Sequence, residues 1–242
     1  MAEKFTVVTN INIAKDVFLM QLYGNTEKIT RPGQFVHIEL PGFFLRRPIS
    51  VCDLNGYKMT IVYKVFGDGT QYMSTLPAGT VLDVLPGLGN GFDTEKSGAR
   101  PLLIGGGVGV PPLYMLAKRL IRDGKRPAAL LGFNSADDVF FKEEFERLGL
   151  KTVVATADGS MGVKGVVTDA LDQFAFDYIF TCGPLPMLKA VYEKTDADGQ
   201  YSFEERMGCG FGACMGCVCK TQKGYKRICK EGPVLKREEI VW

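Results

Sequence analysis

The chain has 242 residues, 46% of them hydrophobic, and a formal net charge of +2. That length suits two domains, each able to bury its own core, and the near-balanced charge argues against a general nucleic-acid or membrane-surface role. No apolar run approaches the roughly 20 residues that span a bilayer, and Met1 to Phe5 leads into strand-like sequence without the apolar stretch of a secretory signal, so a reducing cytoplasmic location is expected.

From Phe5 to Pro86 the chain reads as short strands punctuated by turns. Phe5 to Val8, Val17 to Leu22, Gln34 to Leu40, Ile49 to Leu54 and Lys58 to Val65 are separated by Pro32-Gly33, Pro41-Gly42, Asn55-Gly56 and Gly67-Asp68-Gly69. With no convincing amphipathic helix, this predicts a small antiparallel β-barrel over residues 1–95. Pro86 to Gly91 and the polar stretch after it mark its end. Arg46-Arg47-Pro48-Ile49-Ser50 opens one strand; a guanidinium grips phosphate through two parallel hydrogen bonds and a serine hydroxyl can bond a flavin ring, so the run suits a flavin nucleotide. On its own it reads as surface arginines beside a strand. His37, the only histidine, sits in an alternating segment and is read as structural. No Gly-x-Ser-x-Gly supports a hydrolase triad, and no second histidine supports a His-based metal site.

Residues 96–205 alternate strands and helices. The strands are Leu102 to Ile104, Ala128 to Phe133, Thr152 to Ala155, Tyr178 to Thr181 and Tyr201 to Glu205; the helices are Pro112 to Arg122, Val139 to Leu148, Val166 to Phe174 and Pro186 to Glu193. Repeated β-α units predict a parallel sheet covered by helices on both faces. Gly105, Gly106, Gly107 and Gly109 lie in the first strand-to-helix turn, which Pro111 closes. Glycines there admit a ligand to the backbone, and the helix N-terminus offers N–H groups to a pyrophosphate. The run departs from strict G-x-G-x-x-G and could be a mere tight turn; its place after a buried strand favours a dinucleotide site. The loop Asn134 to Asp138 has no Arg or Lys for a 2′-phosphate, which selects NAD over NADP. Cys182-Gly183-Pro184 lies at the same sheet edge, where Cys182 could face the nicotinamide or simply be a buried free thiol.

The last segment, 206–242, carries Cys209, Cys214 and Cys217 in C-x4-C-x2-C spacing, then Cys219 and Cys229. This is the plant-type 2Fe-2S pattern, with Cys229 as the distant fourth ligand and Cys219 left out. Zinc ribbons favour two separated C-x2-C pairs, and disulfides do not suit a reducing compartment. A hairpin over Val218 to Ile228 would return Cys229 to the loop. The segment holds eight Lys/Arg against three Asp/Glu, which either offsets an anionic four-thiolate cluster or offers a surface to an acidic partner.

Taken together these motifs resemble the ferredoxin-NADP reductase superfamily and, within it, the electron-transfer subunits of dihydroorotate dehydrogenase B, over essentially the whole chain. The resemblance implies FAD bound through Arg47, Pro48, Ile49 and Ser50, through Val62, Tyr63 and Lys64, and through Gly69 and Thr70. It implies a nicotinamide nucleotide at Gly105 to Pro112 and at Cys182, Gly183 and Pro184. Lys64 stands where arginine is expected. Tyr63 or Trp242 is a candidate to stack on the flavin. The implied partner is an FMN-containing catalytic subunit oxidising dihydroorotate to orotate, in a heterotetramer of two of each. The rival readings are the small subunit of a ferredoxin-linked NAD(P) oxidoreductase or sulfide dehydrogenase, an oxygenase reductase, and a non-enzymatic redox sensor or zinc-stabilised module.

Overall fold

The computed structural model describes all residues 1–242. Six strands, β1 (Glu3–Ala14), β2 (Val17–Tyr23), β3 (Phe35–Ile38), β4 (Arg47–Asn55), β5 (Lys58–Lys64) and β6 (Val81–Leu88), close an antiparallel barrel in the order β1-β2-β5-β4-β3-β6. Alternate residues point inward, so Val36 and Ile38 of β3, Met59, Ile61 and Tyr63 of β5, and Leu82 and Val84 of β6 share one core.

Three features depart from the expected strands. β1 is far longer than Phe5 to Val8, because Asn10 and Asn12 do not break it. Asn10 donates to the carbonyls of Met73 at 2.8 Å and Leu76 at 3.2 Å, and accepts the Tyr63 hydroxyl at 2.9 Å. Those carbonyls end the second feature, helix α1 (Asp68–Ser74), which the Gly67-Asp68-Gly69 turn signal concealed. The third is β6, which runs through Pro86. A register slip opposite β3, where Phe35 faces Leu88 and His37 faces Leu85, absorbs the proline and the left-handed Gly87.

The second sheet has seven strands: β7 (Pro101–Gly106), β8 (Ala128–Phe133), β9 (Thr152–Thr156), β10 (Val163–Lys164), β11 (Tyr178–Cys182), β12 (Gly199–Ser202) and β15 (Val234–Lys236), ordered β10-β9-β8-β7-β11-β12-β15. All its pairings are parallel except β12 with β15. Helix α2 (Pro111–Arg122) buries Leu113, Leu116, Ala117 and Leu120 and lies against the barrel, where Lys118 Nζ meets Asp53 at 2.7 Å. Val17, Cys52 and Val62 of the barrel join the same core as Leu103 and Phe180 of the sheet. The predicted helix Val139 to Leu148 shortens to α3 (Lys142–Arg147), preceded by Phe141 in the left-handed region at φ 65°. Val166 to Phe174 becomes a 3-10 turn, and α4 spans Leu185–Lys194.

After β12 the chain forms the cysteine loop and the hairpin β13 (Val218–Thr221) and β14 (Gly224–Arg227), then returns as β15. Thus part of the cysteine segment is an antiparallel edge of the nucleotide-domain sheet. Asn90, just beyond the barrel, fastens this return: its Nδ2 donates to the carbonyls of Val234 at 2.8 Å and Glu231 at 3.0 Å, while Oδ1 accepts the Val234 N–H at 3.1 Å. Asn90→Ala leaves these groups unpaired and is expected to cost about 1–3 kcal/mol. Thermal unfolding and proteolysis around residue 231 would register the loss.

Candidate functional site

The predicted residues build three candidate sites. The first is the cysteine loop. Gly210 and Gly212 adopt left-handed φ of 79° and 91°, and Met215 does so at 61°, so the backbone curls and turns its N–H groups inward. Ala213 and Cys214 donate to Cys209 Sγ at 3.2 and 3.4 Å, Cys209 and Gly216 to Cys214 Sγ at 3.4 and 3.5 Å, and Cys229 to Cys217 Sγ at 3.4 Å. Burial pushes the Cys209 thiol up, but N–H groups from Cys214, Phe211 and Ala213 outweigh it and bring the thiol down to about 6. Burial, and then the adjacent Cys217, push Cys229 up to about 12. Backbone donors aimed at sulfur and two thiols crowded together suit a cationic iron–sulfur core, which accepts thiolates and relieves their repulsion. Cys217 and Cys229 are buried, whereas Cys214 is exposed beside exposed Phe211 and Met215.

Cys219 lies two residues along β13 from Cys217, about 7 Å of extended chain. It faces Lys226 across the hairpin, and burial and then Glu205 raise its thiol. Arg227 braces the loop from below, donating to the Gly212 carbonyl at 2.7 Å while Glu231 holds its guanidinium.

The second site is on the outer face of the barrel. Arg47 has no carboxylate partner and lies 4.9 Å over the Phe43 ring. A methyl group on Gly69 would come within 2.2 Å of Arg47 Nε, so only glycine admits the guanidinium there. Arg46, its neighbour, is instead bound to Asp83 at 2.6 Å and to Glu39. Pro48 and Phe66 are exposed, and Ile49 and Ser50 half-buried, leaving an apolar ledge beside a free cation, a surface suited to a flavin and its diphosphate. Thr70 accepts the Phe66 N–H at 2.6 Å and donates to Gly67 at 3.1 Å, fixing the loop before α1.

Four residues expected to serve the flavin sit elsewhere. Tyr63 is inside the barrel, stacked on Phe18 at 5.9 Å, and cannot stack on a ligand. Lys64 faces the third site, paired with Asp138 at 3.6 Å. Val62 packs into the core between barrel and sheet, and Trp242 lies against Phe203 and Tyr192.

The third site is a cavity of about 450 Å³ at the carboxyl edge of the sheet, lined by Gly106, Gly107, Val108, Asn134, Pro184 and Met187 among others. The two predicted nucleotide segments meet there: a methyl on Gly109 would lie 2.2 Å from the Cys182 carbonyl oxygen, and one on Gly106 2.5 Å from Met187 Sδ. Bare backbone followed by the N-terminus of α2 suits a pyrophosphate. Gly105 pairs with Cys182 across β7 and β11, while Gly183 and Pro184 lead into α4. Lys64, the one cation lining the cavity, is already matched by Asp138, which suits a ribose without a 2′-phosphate. Burial pushes the Cys182 thiol up to about 12, against a hydrogen bond from Ser202, so it is a neutral thiol and not a nucleophile.

The alternating sequence around His37 suits a structural residue, and nothing in it signals what the ring touches. His37 is fully buried and neither ring nitrogen makes a hydrogen bond of good geometry, a state that costs about 1–3 kcal/mol. Burial, and then Arg46, lower its pKa to about 4, against the nearby Cys209 carbonyl. Its neighbour is the cysteine loop.

Known proteins resemble this chain along nearly its whole length. Residues 204–241 match the iron-sulfur cluster binding domain of dihydroorotate dehydrogenase B, and 103–193 match the oxidoreductase NAD-binding domain. The chain is 45% identical over 253 residues to the dihydroorotate dehydrogenase B (NAD(+)) electron transfer subunit of Geobacillus sp. (strain WCH70), covering 99% of this chain and 98% of that one. It is 43% identical to the subunit of the same name from Fusobacterium nucleatum subsp. nucleatum, covering 98% of each. Among solved structures it resembles an NADH-dependent reduced ferredoxin-NADP oxidoreductase described in work on flavin-based electron bifurcation, with a TM-score of 0.90 and 33% identity over 98% of this chain and 90% of that one.

Proposed function

The chain belongs to the family of dihydroorotate dehydrogenase B (NAD(+)) electron transfer subunits, and from that premise we propose that it carries electrons between a catalytic partner and NAD+. The partner is an FMN-containing subunit that oxidises dihydroorotate to orotate in pyrimidine biosynthesis, assembled with this chain two by two in the cytoplasm. Residues 1–95 form the FAD domain, 96–205 the NAD domain and 206–242 the 2Fe-2S segment. The observation that carries the reading is the packing of the cysteine loop, at Gly210, against His37 of β3, the strand paired with the Arg47-to-Ser50 ledge.

The bound groups supply hydride exchange between nicotinamide and flavin and single-electron exchange between flavin and cluster. The protein supplies position. Arg47 neutralises the flavin diphosphate and Ser50 presents a hydroxyl to the ring. The 105–109 turn and the start of α2 hold the dinucleotide pyrophosphate, and Cys182 to Pro184 border its nicotinamide end. Cys209, Cys214, Cys217 and Cys229 hold the cluster, with buried Cys217 and Cys229 toward the core. Exposed Phe211 and Met215, in a segment with eight Lys/Arg against three Asp/Glu, form the apolar contact offered to the partner.

No dihydroorotate site is assigned to this chain, so it is an incomplete enzyme alone. Mixing it with the FMN subunit should produce dihydroorotate-dependent NAD+ reduction that neither chain supports separately. The second reading, a small subunit of a ferredoxin-linked NAD(P) oxidoreductase, draws on the 0.90 TM-score noted above. Electron delivery to ferredoxin, with no response to dihydroorotate in the mixed complex, would favour it.

A further inference from the structure

β3 has two faces. Val36 and Ile38 point into the barrel, while Phe35 packs with Cys217, Ile228 and Cys229 on the outside. By alternation His37 shares the outer face with Phe35, and the contact with the cysteine loop confirms it: a methyl on Gly210 would lie 2.5 Å from His37 Nδ1. The imidazole therefore rests on the residue that follows Cys209. In the ladder with the neighbouring strand β4 it pairs with Pro48, in the flavin ledge. His37 is the side chain wedged between the two redox sites.

It is also fully buried, and neither ring nitrogen makes a hydrogen bond of good geometry, although the Cys209 carbonyl lies close enough to act on the ring. Buried polar groups are seldom left so, and each exception asks for a partner. Every N–H to sulfur bond in the loop comes from its own backbone. The imidazole of His37, against Gly210 of that loop, is a side-chain donor from the barrel beside these sulfurs.

We propose that His37 is a positioning residue of the electron path, whose ring N–H donates a hydrogen bond to sulfur in the iron–sulfur site and thereby sets its reduction potential. The inference rests on the cluster reading above. A donor to sulfur withdraws electron density and stabilises the reduced state, which carries one more negative charge, so its removal makes the site harder to reduce. Low surrounding polarity strengthens the effect.

Because the chain has a single histidine, histidine labelled with 15N at its ring nitrogens marks this imidazole alone. Pulsed EPR of the reduced, cluster-loaded protein is expected to show a nitrogen coupling that changes between 14N- and 15N-histidine samples. In a redox titration, His37→Leu should lower the reduced-to-oxidised ratio about tenfold at the wild-type midpoint, equivalent to about 59 mV for one electron. His37→Gln, which keeps an N–H donor, should recover most of that shift. A spectrum indifferent to the label, or a His37→Leu protein with the wild-type midpoint, overturns the proposal. The labelled wild-type protein decides the case if His37→Leu fails to hold its cluster. Absence of any 2Fe-2S signal would overturn the cluster reading, and this inference with it.

Discussion

Cys229→Ala is expected to remove the iron–sulfur site while leaving the flavin in place. Iron and acid-labile sulfide per chain should fall at least about tenfold, because a four-thiolate site rarely survives the loss of one ligand. Flavin-dependent reduction of a small acceptor by NADH should persist. Cys219→Ala is the matched control and should keep its iron, since Cys229 donates its backbone N–H to Cys217 Sγ whereas Cys219 lies farther along the strand. The opposite pattern, iron lost with Cys219 and kept without Cys229, would reverse the ligand assignment. Ligand binding and local folding are coupled at such sites, so the Cys229→Ala protein should also be cleaved faster between residues 206 and 233.

Arg47→Ala is expected to weaken FAD binding by about 2–3 kcal/mol, roughly 30- to 150-fold in Kd, the range for losing a hydrogen-bonded charge. Fluorescence titration of the apoprotein with FAD measures it. Arg47→Lys should recover only part, because an ammonium lacks the planar fork. Gly69→Ala reaches the same end with Arg47 intact, since its methyl would occupy the space 2.2 Å from Arg47 Nε. Arg46→Ala should act differently: it frees Asp83 and Glu39 at the β3–β6 seam, lowering stability with little change in flavin affinity. Equal flavin Kd in Arg47→Ala and the parent chain would move the diphosphate elsewhere.

Some of this architecture was legible in the sequence because its causes are local. The thiol spacing is a property of one loop, and Gly105 to Pro111 states its turn and its helix start within seven residues. The barrel strands show as alternation, and the parallel sheet as repeated β-α units. What stayed hidden depends on partners far along the chain. Pro86 looks like a boundary until β3 is seen to absorb it through a register slip. Asn10 looks like a strand breaker until α1 supplies carbonyls for its amide. Tyr63 belongs to an alternating strand whose phase, and so its inward face, is fixed only by closing the barrel. Lys64 finds Asp138 across the domain boundary, and neither Asn90 nor His37 carries any local sign of the segment it meets.

The most direct test of the proposed path is an anaerobic NADH titration of the isolated, cofactor-loaded chain, followed by visible absorbance and low-temperature EPR. The account predicts bleaching of the flavin band together with a reduced 2Fe-2S signal, and a much weaker response to NADPH. Flavin bleaching without a cluster signal in an iron-replete sample would contradict the connection from flavin to the cysteine loop, and a chain that binds neither chromophore would contradict the account at its base.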